Sequence, residues 1–279
     1  MRGSIATPGP ATVRHGGNTS CIEYRCGDEI IILDAGTGLR KLGQSLLAEF
    51  KNQPLNLTLL LTHTHWDHIQ GLPFFGPIYN PRCRLRILGN EGARKGLVAA
   101  LTAQMESTYF PVPFDKLPSN IEIEELKDFS FDIGPVLVRA LRANHPGMCV
   151  GYRLFSPDGL IAFFPDTEAH VVGEDGDMVE FVRDADVLIL DSQYDKAEYK
   201  KHVGWGHGCV DHSVALALKA HVKQLCLFHH DPDHDDRRMD ELVKYARNLV
   251  AKKKSKMKVE AAREGMTIQL RVKNARAKT

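Results

Sequence analysis

The sequence predicts an α/β protein in which mixed β-sheets are flanked by helices, and three features of its pattern point there. Short apolar and β-branched runs recur along the whole length, amphipathic stretches of helical period separate several of them, and in the middle several strand-like runs follow one another with no helix between. The third feature excludes a strictly alternating parallel sheet.

In chain order, Glu29–Leu33 (EIIIL) reads as a strand and Leu39–Phe50 as a helix. Leu57–Leu61 is a short apolar run of strand length, as is Leu85–Leu88, and Ala93–Met105 has helical period. Tyr109–Pro118 is Pro-rich but too short and too aromatic for a spacer, so it is expected to be an ordered loop beside the site. Strands are then predicted at Val136–Leu141, Val150–Phe155, Leu160–Phe164 and Val187–Leu190, a helix at Val210–Ala220, a strand at Leu225–Phe228, a helix at Asp235–Lys252 and a last strand at Met266–Val272. No repeat, low-complexity tract or linker divides the 279 residues, and one domain over 1–279 is expected.

A composition of 43% hydrophobic and 25% charged residues excludes disordered, collagen-like and coiled-coil chains. No apolar run reaches the roughly 18 residues of a membrane helix, and the Gly- and Pro-broken start offers no signal segment, so a cytoplasmic protein without a membrane partner is expected. The six cysteines form no C-x-x-C pair and read as free thiols, with Cys149 and Cys226 inside apolar runs. Net charge is +1, but residues 251–279 carry seven Lys and three Arg against two Glu, or +8, which leaves −7 on residues 1–250. The Lys252–Lys258 cluster falls at the end of the last predicted helix, where cations complement the helix dipole; the alternative is a phosphate-binding patch.

The chemistry concentrates after the strand Leu57–Leu61, in Thr62-His63-Thr64-His65-Trp66-Asp67-His68, where four metal-ligand side chains occupy positions 63–68. In extended chain His63 and His65 point the same way, and a turn brings Asp67 and His68 to a neighbouring point, so one strand end can serve two adjacent ions. Imidazole and carboxylate suit zinc and other borderline divalent metals. Two ions need further ligands, and His145, Asp166 and His229 each follow a later predicted strand.

These residues resemble the metallo-β-lactamase superfamily, whose signature H-x-H-x-D-H is matched by His63, His65, Asp67 and His68. The resemblance spans nearly the whole chain. It is strongest to the phosphodiesterase branch that holds ribonuclease Z and phosphoribosyl cyclic phosphodiesterase, in which a later His, a bridging Asp and a last His follow in the order of His145, Asp166 and His229. It implies an αββα sandwich with two divalent ions, zinc first and manganese or iron as alternatives. One ion would take His63, His65 and His145, the other Asp67, His68 and His229, with Asp166 between them.

Within that branch, Asp67-His-Ile-Gln-Gly-Leu-Pro73 resembles the form seen in ribonuclease Z relatives and lacks the Gly-Gly of glyoxalase II. Gly206-His207 precedes His229 by the interval of ribonuclease Z's additional motif His, which implies that His207 is a general acid or a phosphoryl contact. Asp191 stands where ribonuclease Z has an orienting Glu, one methylene shorter. The stretch between Asp166 and His207 is short and acidic, where ribonuclease Z inserts a Gly-rich basic arm for transfer RNA, so a small phosphodiester such as a cyclic nucleotide is expected as substrate. The alternatives are a ribonuclease Z-like RNA endonuclease, a di-iron redox or oxygen sensor, and a thioesterase-like hydrolase. The resemblance also makes a homodimer an expectation. Asp34 is expected either to brace a ligand imidazole or to make a turn, and Gly16–Ser20 either to hold a phosphate or to be structural. His230, Asp231, Asp233 and His234 are either outer partners of the ligands or an acid-rich helix start.

Overall fold

The computed structural model describes residues 1–51, 53–90, 94–169 and 176–270. Among them are two β-sheets. The first runs β1 (Ile22–Cys26), β2 (Glu29–Leu33), β3 (Leu55–Leu60), β4 (Cys83–Gly89) and β5 (Asn120–Glu125) in spatial order, an antiparallel β1–β2 hairpin extended by parallel strands. The second begins as the antiparallel meander β6 (Ser130–Ile133), β7 (Val136–Arg142), β8 (Val150–Ser156) and β9 (Gly159–Phe164). It continues in parallel through β10 (Val187–Asp191), β11 (Gln224–Phe228) and β12 (Lys258–Ala261).

Both faces of each sheet are covered, which is why the central strands read as unbroken apolar runs. In β2, Ile31 and Leu33 enter the core between the sheets while Ile30 and Ile32 pack outward with Leu39 and Leu46 of α1 (Gly38–Phe50) and Leu97 and Leu101 of α3 (Arg94–Ala103). In β10, Val187 and Ile189 face the first sheet, whereas Leu188 and Leu190 face α4 (Gly176–Phe181), α6 (Val210–Lys219) and α7 (Asp236–Lys252). Two-residue alternation thus builds the order helix, sheet, sheet, helix. Two short helices, α2 (Trp66–Ile69) and α5 (Lys196–Tyr199), lie in the connections that follow β3 and β10.

The expected last strand, Met266–Val272, is a correction. Residues 266–270 are not in a strand, and 271 and 272 lie outside the described residues. Met266, Ile268 and Leu270 pack on the inter-sheet core as a strap, and the strand beside β11 is instead Lys258–Ala261. β1, β5 and β6 were not expected either; they are sheet margins whose apolar residues are interrupted by charged ones, as margins commonly are. All six cysteines are free thiols, and all but Cys21 are buried. No helix among the described residues is long and apolar enough to cross a membrane. Phe110 of the Pro-rich loop packs edge-on against Phe74 at 5.5 Å, which places that loop beside the chain that follows the H-x-H-x-D-H motif.

Candidate metal centre

The segments that leave β2, β3, β7, β9, β10 and β11 converge at one end of the sandwich. Past β3 the chain is extended at His65, the N-cap of α2 with φ −60° and ψ 149°, and then coils, which puts Asp67 and His68 on a helical turn. His63, His65, His145 and Asp166 offer ligand atoms within 4.8 Å of one another, and so do Asp67, His68, Asp166 and His229. Asp166 is common to both sets. The structure therefore brings together all seven residues named from the sequence, and buries all of them except the more open His65 and His145.

The imidazoles are oriented from behind. His68 Nδ1 is 2.8 Å from Asp34 Oδ2, His229 Nδ1 is 2.9 Å from Gln193 Oε1, and His145 Nδ1 is 2.9 Å from the Gly206 carbonyl. Carboxylate, amide oxygen and carbonyl only accept, so each Nδ1 carries a proton, and in the neutral ring each Nε2 turns a lone pair inward. His63 Nδ1 lies 3.0 Å from the Thr62 hydroxyl, which itself donates to Asp34 Oδ1 at 2.9 Å and so accepts from the ring.

These lone pairs face carboxylates. Asp166 Oδ1 is 3.1 Å from Nε2 of both His68 and His229, and Asp67 Oδ2 is 3.1 Å from the same two nitrogens. Lone pair against carboxylate is repulsive unless a proton or a metal cation sits between them. His63 Nε2, His68 Nε2 and Asp166 Oδ1 are buried without any hydrogen-bond partner, and such atoms are costly to leave unsatisfied. Nitrogen and carboxylate donors with this orientation fit divalent metal ions. The same carboxylates draw positive charge, as a proton or a metal ion, to this point. Burial opposes charge on His68, but Asp166, Asp67 and Asp34 overcome it and push its pKa well up. Burial likewise opposes ionisation of Asp166, yet His229, His68 and His63 hold its carboxyl well below the usual range. Burial, helped by the neighbouring His68, drives His63 well down.

A second ring of residues fixes the ligands. Fully buried Asp34 accepts from Ser20 Oγ at 2.8 Å and Thr62 N at 2.9 Å besides His68, so the bracing role is the one realised. Asp34 and His229 both hold left-handed backbone, at φ 62° and 57°, a conformation that costs residues with a Cβ about 1 kcal/mol or more. The Ser4 amide donates to Asp67 Oδ2 at 2.8 Å, and a Cβ on Gly3 would overlap the His229 ring. Of the Gly16–Ser20 segment, Ser20 is committed to Asp34 and Thr19 to Thr37, so the structural alternative holds. Asp231 Oδ2 accepts from Gln193 Nε2 at 3.2 Å and so supports His229 at one remove. His230 instead bonds the Ala262 carbonyl, His234 contacts Glu198, and Asp233 donates its amide to Asp231. Sequence reasoning missed Gln193, Ser4 and Glu168. The buried Glu168 carboxylate accepts from the amides of Gly204 (2.9 Å) and Gly206 (3.2 Å) and from the Tyr199 hydroxyl (2.7 Å), and thereby shapes the loop that leads to His207. Its place two residues after Asp166 was the available signal, masked by the acidic stretch around it.

His207 stacks on His229 with ring centroids 4.8 Å apart, and its Nδ1 is 2.9 Å from Asp191 Oδ2. The shorter carboxylate therefore reaches. Burial opposes charge on His207, but Asp191, with help from Asp166 and Asp67, raises its pKa to about 9.

Comparison with known proteins adds three findings. A sequence profile of the beta-lactamase superfamily domain matches residues 30–230. Ribonuclease Z of Thermoplasma acidophilum is 25% identical over 260 residues, covering 76% of this chain and 80% of that one. Among solved structures, the metallo-β-lactamase fold protein YhfI from Bacillus subtilis superposes with a TM-score of 0.69 at 19% identity over 95% of each chain, and the short form of human tRNase Z with 0.65 at 21% identity over 96% of each.

Proposed function

Because the chain belongs to the metallo-β-lactamase superfamily, we propose that its two ligand sets sharing Asp166 are the centre of a metal-dependent phosphodiester hydrolase acting on a cyclic nucleotide or a similar small nucleotide diester. The observation that carries this reading is the row of inward Nε2 atoms set against the carboxylates of Asp67 and Asp166. The ribonuclease Z relatives, which act on phosphodiester bonds, support the reaction class.

In this reading His63, His65 and His145 hold one divalent ion, Asp67, His68 and His229 hold the other, and Asp166 serves both. Two ions so held supply Lewis acidity toward the phosphoryl oxygens and lower the pKa of an attacking water. Zinc suits the donors best, with manganese and iron as the other candidates. Asp191 keeps the proton of His207 on Nδ1 when the ring is neutral and stabilises the doubly protonated ring, so Nε2 can deliver a proton to the departing alkoxide. The short acidic stretch after Asp166 and the −7 carried by residues 1–250 favour a small diester over RNA, since binding to nucleic acid draws on many Lys and Arg contacts.

Metal analysis followed by a substrate panel of cyclic mononucleotides, cyclic dinucleotides, cyclic phosphates and RNA tests the reading. Asp67→Ala and His68→Ala should abolish turnover of bis-p-nitrophenyl phosphate. Undiminished turnover in metal-replete variants overturns the assignment, and cleavage of a structured RNA 3′ trailer with steep salt dependence replaces the small diester by RNA.

A further inference from the structure

We propose that Trp66 and Trp205 form a clamp that stacks a nucleobase at the mouth of the metal centre, so that the preferred substrate carries an unpaired base. The proposal rests on the hydrolase reading for the identity of the reacting group and adds what is attached to it.

The chain has two tryptophans, and both stand beside the ligand shell. Trp66 lies between His65 and Asp67, and 80% of its surface is exposed; Trp205 directly precedes Gly206, and 60% of its surface is exposed. One imidazole links their surroundings. His145 reaches His65 Nδ1 with its Nε2 at 3.2 Å and the Gly206 carbonyl with its Nδ1 at 2.9 Å, so each indole is one residue from an end of the same short chain of contacts.

Trp205 is backed by a rigid stack. It meets the His202 ring edge-on at 4.8 Å, and His202 lies flat on Tyr194 at 4.5 Å with an interplanar angle of 9°. Eight residues after Trp66, exposed Phe74 is held edge-to-face by Phe110, next to exposed Tyr109. Two indoles left in water and flanking residues of a polar centre favour a binding site, because a planar ligand recovers the apolar burial that the fold has left undone.

Charge decides which planar ligand. The acidic body offers little to the phosphates of a polynucleotide, so recognition falls to the group attached to the scissile phosphorus. A nucleobase has a flat face on each side and stacks on indole whatever its sequence. Bases inside a duplex keep those faces covered, which selects mononucleotides, cyclic nucleotides and single-stranded ends.

The test titrates metal-loaded protein with adenosine 5′-monophosphate and, separately, with ribose 5-phosphate. Trp66→Phe and Trp205→Phe each leave one indole as a fluorescent reporter. We expect adenosine 5′-monophosphate to quench both reporters and to bind at least 10-fold more tightly than ribose 5-phosphate. Trp66→Ala and Trp205→Ala should each raise its Kd roughly 10-fold, leave the Kd of ribose 5-phosphate unchanged, and shift Tm little because the exposed rings bury little surface. Equal affinities for the two ligands, or an unaltered Kd for adenosine 5′-monophosphate in the double Ala variant, overturn the clamp. Turnover of bis-p-nitrophenyl phosphate by the wild type, measured in parallel, decides the hydrolase reading by itself, while quenching decides the clamp.

Discussion

Asp34 Oδ2 lies 2.8 Å from Nδ1 of His68, and both side chains are fully buried. The same carboxylate also takes Ser20 and Thr62, so it positions one imidazole directly and a second, His63, through the Thr62 hydroxyl. Asp34→Asn keeps the shape but turns one acceptor into a donor. Metal affinity should fall roughly 10- to 100-fold, the usual effect of losing a residue that orients a ligand. Competition with a chromophoric chelator reads this out, and unchanged metal retention would contradict the bracing role.

Glu168 acts on the other side of the site, through the loop of Gly204 and Gly206. Glu168→Gln replaces one acceptor oxygen by an amide and should cost about 1–3 kcal/mol of stability, the range for a buried hydrogen-bonding group left without its partner. Because the Gly206 carbonyl holds His145, turnover should also fall, with kcat reduced more than KM is raised. Denaturant titration and steady-state kinetics on one preparation separate the two effects. A stability loss with unaltered kcat would leave Glu168 a purely structural residue.

His207→Ala should leave metal content intact, since none of the seven proposed ligands is replaced. Turnover of a diester with an alkoxide leaving group should drop by about 10²- to 10⁴-fold, the usual worth of a general acid. Release of p-nitrophenolate needs little protonation, so the loss with that substrate should be much smaller. Equal losses with both leaving groups would point instead to a phosphoryl contact.

His230 predicts acid sensitivity. Its ring is fully buried, Nε2 bonds the Ala262 carbonyl, Nδ1 has no partner, and burial together with the nearby amino terminus and Arg2 lowers its pKa well below 6.5. In the folded protein it stays neutral where the unfolded chain takes up a proton. Stability contributed here is therefore present above the unfolded pKa near 6.5 and is lost as pH falls below it, by up to about 1.4 kcal/mol per pH unit. Thermal melts of chelator-stripped protein between pH 7 and 5 should show this slope, and His230→Gln should flatten it. An unchanged slope in the variant would assign the acid sensitivity elsewhere.

Much of this was legible in the sequence for an identifiable reason. The central strands are buried on both faces, so EIIIL and its counterparts announce themselves, and the ligand residues follow where those strands stop. Marginal strands such as Asn120–Glu125 expose alternate charged residues, and Lys258–Ala261 hides in a Lys-rich run, so neither carries that signal. Met266–Leu270 has the right composition for a strand but uses its apolar side chains to cap the core without joining a ladder. Within the site, Asp34 was visible because it ends a strand, whereas Gln193 and Glu168 act through contacts with chain 31 residues away or more. Nothing in their local sequence encodes such partners.

The proposed ligands come from both halves of the sandwich: His63, His65, Asp67 and His68 hang from the five-stranded sheet, while His145, Asp166 and His229 hang from the seven-stranded one. Ions held this way would rivet one layer to the other. Their binding energy would resist the prying apart of the layers and so would count toward survival of the fold as well as toward chemistry. A cell starved of such ions would then see the polypeptide itself become scarcer, as loosened copies fell to proteases, before any pool of intact but idle protein built up.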